Sequence, residues 1–168
     1  MSDYDRTTRE CPVSQLHPEL LQAIQSYFQE HKLGHLEAET LICCETISKK
    51  KSSGRLASLL KGELDTTIHT GMLLTSQWLI WVQRGDLSGT LLNAANLKEI
   101  QTRAYTSILT RDTGLEIFGY IGNSKGRVQG YVGMGPELAA QKFCEEVKKA
   151  ITKVKPPAKK GLPKWLTG

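Results

Sequence analysis

Gly71-Met-Leu-Leu-Thr-Ser-Gln-Trp-Leu-Ile-Trp-Val82 is the stretch on which the reading of this chain turns. Two apolar runs flank a short polar break at Thr75, Ser76 and Gln77. Branched and aromatic side chains suit a pleated, half-buried backbone, and Ser and Thr favour turns, so the stretch reads as strand, turn, strand. The second run, 77–83, is the strongest strand signal in the chain, and the polar, glycine-containing 84–89 reads as the turn that follows it. Trp78 and Trp81 stand three apart. In a strand they therefore point to opposite faces, one into the core and the other partly exposed.

On the N-terminal side, 63–69 either prolongs the first of these strands or forms a short one of its own. Residues 40–48 are rich in β formers and lack proline, so they read as a strand, and 49–55 reads as a polar loop. The adjacent Cys43 and Cys44 project to opposite faces, which puts one of them in the core as a small hydrophobe. On the C-terminal side, strands are expected at 89–92, 97–103, 115–121 and 127–132. Residues 122–126 form a hairpin turn between the last two, because Gly and Asn tolerate positive φ.

Two amphipathic helices frame the strands. Pro18 suits a first helical position, and Leu20, Leu21, Ile24, Tyr27, Phe28 and His31 recur at three- and four-residue steps, with Gly34 as the stop. From Pro136 the stripe Leu138, Ala139, Phe143, Cys144, Val147, Ala150 and Ile151 marks the second helix. The pattern predicts a mainly β fold: an antiparallel barrel or half-barrel of about seven strands, closed by the C-terminal helix and carrying an extra N-terminal helix. The boundaries that go with it are a flexible arm over 1–16, a helix over 17–34, the β domain over 35–153 and a basic Pro/Lys-rich tail over 154–168.

A chain of 168 residues buries enough surface to fold without disulfides or metal. Its longest apolar runs fall far short of the roughly 20 residues that cross a bilayer. The polar start lacks an apolar signal core, so a cytoplasmic chain is expected. The four cysteines show no Cys-x-x-Cys and no zinc spacing, and read as structural thiols. Of the 22 basic residues, seven lie from Lys148 onward with no acid among them. Residues 1–147 thus carry 15 basic against 17 acidic side chains, a net −2, which argues against a broad nucleic-acid surface on the body.

The strand–turn–strand of 71–82, the later Asn96-Leu-Lys-Glu-Ile-Gln101, and the terminal helix after two glycine-punctuated strands together resemble the pleckstrin-homology (PH) superfamily, specifically its bacterial PH-like domains. The resemblance covers 35–153, about two-thirds of the chain; the first helix and the tail lie outside it. It implies a scaffold whose function sits in variable loops at the open end of the barrel. Relatives that hold phosphoinositides use basic residues on the first two strands and the loop between them. Here the loop supplies Lys49, Lys50, Lys51 and Arg55, followed by Lys61, but Glu63 and Asp65 stand where a phosphate cage wants cations.

The chemistry-bearing patterns are few. Gly122-Asn-Ser124-Lys-Gly126 matches G-x-S-x-G, yet a strand follows it and no His occurs after His69, so a turn is expected rather than a nucleophile elbow. The glycines at 130, 133 and 135 ease a strand-to-helix corner and lack dinucleotide-binding spacing. His17, His31, His35 and His69 are scattered and read as surface or capping residues. The candidate anion-binding set is Lys49, Lys50, Lys51 and Arg55 in the loop, with Lys159, Lys160, Lys164 and Trp165 in the tail. Lysines near an anionic bilayer contribute up to about 1 kcal/mol each, and Trp165 suits the interface.

No catalytic constellation, metal set or cofactor is implied. The expected function is a non-enzymatic binding module that docks a protein partner or a second copy of itself. A peripheral membrane adaptor, using the tail and the 49–55 loop, is the alternative. Single-stranded nucleic acid ranks third, because the aromatics fall mainly in expected core strands.

Overall fold

The computed structural model describes residues 4–51, 65–106 and 113–155. Eight strands run in chain order: β1 (Tyr4–Glu10), β2 (Ile42–Lys50), β3 (Thr67–Leu74), β4 (Trp78–Gly85), β5 (Gly89–Asn96), β6 (Ile100–Thr106), β7 (Thr113–Gly119) and β8 (Val128–Met134). Between β1 and β2 lie a 3-10 turn (Val13–Gln15), helix α1 (Pro18–His31) and the short α2 (Leu36–Glu39); helix α3 (Leu138–Val154) follows β8. The strands form two antiparallel sheets, ordered β1-β2-β3-β4-β5 and β6-β7-β8.

The fold is mainly β with a C-terminal helix, as the pattern predicts, but the described strands make two sheets and no closed barrel. The expected loose arm over 1–16 is also corrected, because Tyr4–Glu10 pairs along the whole of β2. Its sequence carries no apolar alternation since it is an edge strand whose one buried side chain is a hydroxyl. Thr8 is 3% exposed, and its Oγ1 lies 2.7 Å from that of Thr46. The same Oγ1 accepts from Gly135 N at 2.8 Å, while Thr8 N donates to Glu137 Oε2 at 2.9 Å. These bonds seal the edge of the first sheet against the end of the second. Gly135 has to be glycine there, for a Cβ would lie 2.1 Å from the Glu137 carboxylate and 2.8 Å from the Arg6 carbonyl oxygen.

The turn inside 71–82 closes as its residues demand. Thr75 Oγ1 accepts from Gln77 N and Trp78 N, at 3.2 and 2.9 Å, and Thr75 N donates to the Trp78 carbonyl at 2.9 Å. The next turn, between β4 and β5, is held from outside by Asp65. Its carboxylate accepts from Leu87 N at 2.5 Å and from Ser88 N and Oγ at 3.0 and 2.7 Å.

Two cores share the first sheet. The inner one lies between the sheets and under α3, and holds Cys44, Met72, Leu79, Trp81, Leu115, Ile117 and Phe143 among others. The outer one holds Cys43, Leu73, Ile80 and Val82 against Leu20, Ile24 and Phe28 of α1. Cys43 and Cys44 therefore face opposite ways, yet both are buried, because helix α1 covers the face that a half-barrel leaves to solvent. Trp81 likewise lies in the inner core and Trp78 packs, half-buried, at the edge of the outer one. Each of the three α1 anchors contributes roughly 1.5–3 kcal/mol by area removed from water. The helix stops earlier than its glycine suggests. Lys32 takes the left-handed conformation at φ 53°, and Lys32 N and Leu33 N donate back to Gln29 and Phe28 carbonyls at 3.3 and 3.0 Å.

A groove under the terminal helix

Of the residues expected to bind anions, Lys49, Lys50 and Lys51 sit together at the end of β2; Lys49 and Lys51 are exposed. Lys51 Nζ lies 3.0 Å from Asp5 Oδ1 on β1, so part of that charge is met within the protein by an exposed ion pair. Arg55, Lys159, Lys160, Lys164 and Trp165 lie outside the described residues, as do Lys61 and Glu63.

A groove lies elsewhere. Strand β6 pairs with β7 along one edge and, among the described residues, with no strand along the other. In an antiparallel strand, alternate residues turn both backbone groups to the same side. Lys155 Nζ donates to the Ile100 carbonyl at 2.5 Å from outside the sheet, so Ile100, Thr102 and Ala104 turn theirs away from β7. Outside the β6–β7 ladder, the backbone groups of Thr102 and Ala104 make no bond to another backbone group among the described residues.

This edge opens into a groove of about 690 Å³ between β6 and α3. Its origin is legible in the side chains. After Ile100, the inward positions of β6 are the small Thr102 and Ala104, paired with Ile117 and Leu115 of β7. A larger side chain at 104 would fill part of the groove that it shares with Gln141 and Cys144 of α3, whereas Ala leaves it open. The floor is apolar, formed by Leu115, Met134 and Ala140, with Cys144 half-buried beside them. Gln141, Glu145 and Lys148 of α3 form the polar rim. Burial pushes the Cys144 thiol up, and its Sγ rests 3.9 Å from Met134 Sδ, so it acts as floor rather than nucleophile. A groove with an apolar floor, a polar rim and a row of unpaired amides along one wall suits an extended chain.

The opposite, solvent-facing side of β6-β7-β8 carries a second feature. Gln101, Phe118 and Gln129 stand in one row across the three strands, and Arg103, Glu116 and Tyr131 in the next. Arg103 holds Glu116 through Nε at 2.9 Å and Nη2 at 2.5 Å, and Gln129 Nε2 donates to the other carboxylate oxygen. Beside Phe118 a shallow concavity of about 730 Å³ is lined by Tyr120, Lys98, Arg127 and Lys155.

A third cluster is buried. Glu45, 3% exposed, receives Arg9 Nη2 at 2.6 Å, His69 Nδ1 at 3.3 Å and His17 N at 3.3 Å. The rings of His17 and His69 lie 4.6 Å apart, although the sequence scatters them. The G-x-S-x-G string is a turn, as expected. Gly122 has φ 54°, and Ser124 Oγ and N bond back to the backbone of Ile121, each at 3.1 Å. Among the described residues no group of three His, Cys, Asp or Glu side chains is placed to hold a metal ion, and no helix is long and apolar enough to cross a membrane.

Neither groove follows from sequence motifs. Thr102, Ala104 and Gln141 belong to no chemical pattern, and only the fold makes β6 an edge. A weak signal exists in 97–103, where apolar spacing fades after Ile100. Comparison with known proteins adds no relative: no family model matches the chain, and neither a curated protein nor a solved structure does.

Proposed function

We propose that this chain is a non-enzymatic binding module of PH-like architecture, and that it docks a protein partner by taking an extended segment of it against β6, beneath α3. The carrying observation is the edge of β6, unpaired among the described residues, opening on the apolar-floored groove. Backbone amides supply affinity without regard to sequence, and the floor selects which side chain inserts. The PH-like assignment draws support from the strand order. With β1 set aside, β2–β5 and β6–β8 make seven antiparallel strands followed by one helix that covers the inner core. Self-association through the stripe of α1 has no such support, because that stripe is spent on the outer core.

The test is selection of random decapeptides on the full chain, followed by titration of the winners against wild type and Ala104→Pro. Proline removes the outward N–H of residue 104, a change that an edge strand tolerates, so the fold is retained while the added strand loses a bond. Peptides that bind wild type and lose most of their affinity for Ala104→Pro support the reading. Peptides that bind both equally, or a selection that returns none, overturn it.

A further inference from the structure

We propose that the outer face of β6-β7-β8 binds a short stretch of single-stranded nucleic acid, a site independent of the groove beneath α3. Phe118 projects from the central strand and is 36% exposed, flanked in its own row by the amides of Gln101 and Gln129. An aromatic ring presented on a sheet face offers a stacking platform to a nucleobase, and neighbouring amides offer donors and acceptors to its edge. One row further on, Tyr131 is 39% exposed and meets Tyr105 edge-on, with centroids 5.2 Å apart. Rows on one face of a strand are about 7 Å apart, so the face presents aromatic surface at two successive positions.

The charge around this platform is complementary to phosphate. Lys98, Arg127 and Lys155 line the concavity next to Phe118 and Tyr120, against one acid, Glu99. Lys98 and Arg127 are exposed and make no ion pair among the described residues. Glu116, the one acid facing outward from the paired positions of these strands, is buried and neutralised by Arg103. The near-neutral body thus hides a local field: Lys98 and Arg127 are exposed beside the aromatics without an ion pair among the described residues, and the carboxylate is covered. A phospholipid headgroup would use the cations but not the aromatic and amide row, and a protein segment would gain little from the phosphate-sized positive rim. Bases stacked on rings with phosphates on lysine and arginine use both.

Fluorescence anisotropy of labelled dT10 and U10 oligonucleotides with the full chain tests this, with duplex DNA of the same length and anionic vesicles as comparisons. Wild type is expected to prefer single strands, with a shallow salt dependence that reflects two or three phosphates. Phe118→Ala and Phe118→Leu are expected to lose about tenfold in affinity, the leucine variant preserving apolar packing, and Arg127→Glu to lose affinity and flatten the salt dependence. Circular dichroism verifies that each variant is folded. The basic tail is intact in all of them, so binding through the tail alone would ignore Phe118. Binding that is unchanged in both Phe118 variants, a preference for duplex or vesicles, or no binding at low salt overturns the proposal.

Discussion

Nδ1 of His69 on β3 lies 3.3 Å from the carboxylate of Glu45 on β2. Arg9 of β1 holds the other oxygen of that carboxylate, and the backbone N–H at the start of α1 donates to the first. One buried carboxylate thereby joins three strands to the helix that covers them. It occupies a place on the outer face of the sheet where an apolar side chain would have served for packing alone.

Removing one partner of this cluster is more damaging than its bond count suggests. Arg9 is half-exposed and can rehydrate, whereas Glu45 has nowhere to go. Arg9→Gln leaves a buried carboxylate short of its charge and is expected to cost about 3 kcal/mol, at the lower edge of the range for broken buried pairs. Glu45→Gln, which removes the buried charge instead, is expected to cost less. Urea denaturation of both variants at neutral pH checks the order, and a reversed order would show that the carboxylate is better solvated than its surroundings imply.

Asp65 sets an acid limit on the β4–β5 turn. Hydrogen bonds from the Ser88 hydroxyl and from the Leu87 and Ser88 backbone hold its carboxyl down at about 2, against an ordinary 3.8. A folded-state value below the unfolded one adds stability that is complete above about pH 4 and lost as the pH falls toward 2. Asp65→Ala is therefore expected to lower the melting temperature by a few degrees at pH 6 and to match wild type near pH 2. The site is solvent-facing, which keeps the effect small. Thermal melts of both proteins across this pH range decide it.

Much of the architecture is legible in the sequence, and the differences have physical causes. The seven expected strands, both helices and the turns at 75–77 and 122–126 all appear, because apolar period and turn chemistry are local properties. Strand β1 leaves no such signal because its buried contact is a hydroxyl pair, Thr8 with Thr46, and hydroxyls carry no apolar period. Burial of both Cys43 and Cys44 is not legible in the sequence, because alternation shows two faces but not what covers them. The groove depends on β6 being an edge and on Ala104 being small, and neither means anything until α3 lies alongside. The tail and Arg55, where the expected anion site was concentrated, lie outside the described residues.

Helix α1 offers a contrast that separates core from surface. Ile24 is wholly buried against the sheet, while Leu138 at the start of α3 is 80% exposed. Ile24→Ala is expected to cost about 2–5 kcal/mol and Leu138→Ala less than about 0.5 kcal/mol. Chemical denaturation measures both. An equal loss at the two positions would mean that Leu138 is covered in solution.

Thiol chemistry reports on the groove without any knowledge of its occupant. Burial raises all four cysteine thiols, Cys44 to about 12 and Cys43 further still, so at pH 8 each is overwhelmingly protonated in the folded chain. Cys43 and Cys44 are expected to react with iodoacetamide only as fast as the protein unfolds. Cys144 is half-buried at the floor of the groove, open on the side where a segment would lie, and is expected to react first among the four. A peptide seated against β6 would cover that sulfur, so peptides selected on the chain should slow Cys144 labelling in the folded protein directly, and by more than the slowing of Cys43 and Cys44 that ligand stabilisation of the native state alone produces. Mass spectrometry of time-quenched samples separates the sites. Protection of all four together would indicate stabilisation of the whole fold, and protection of none would place the peptide away from the groove.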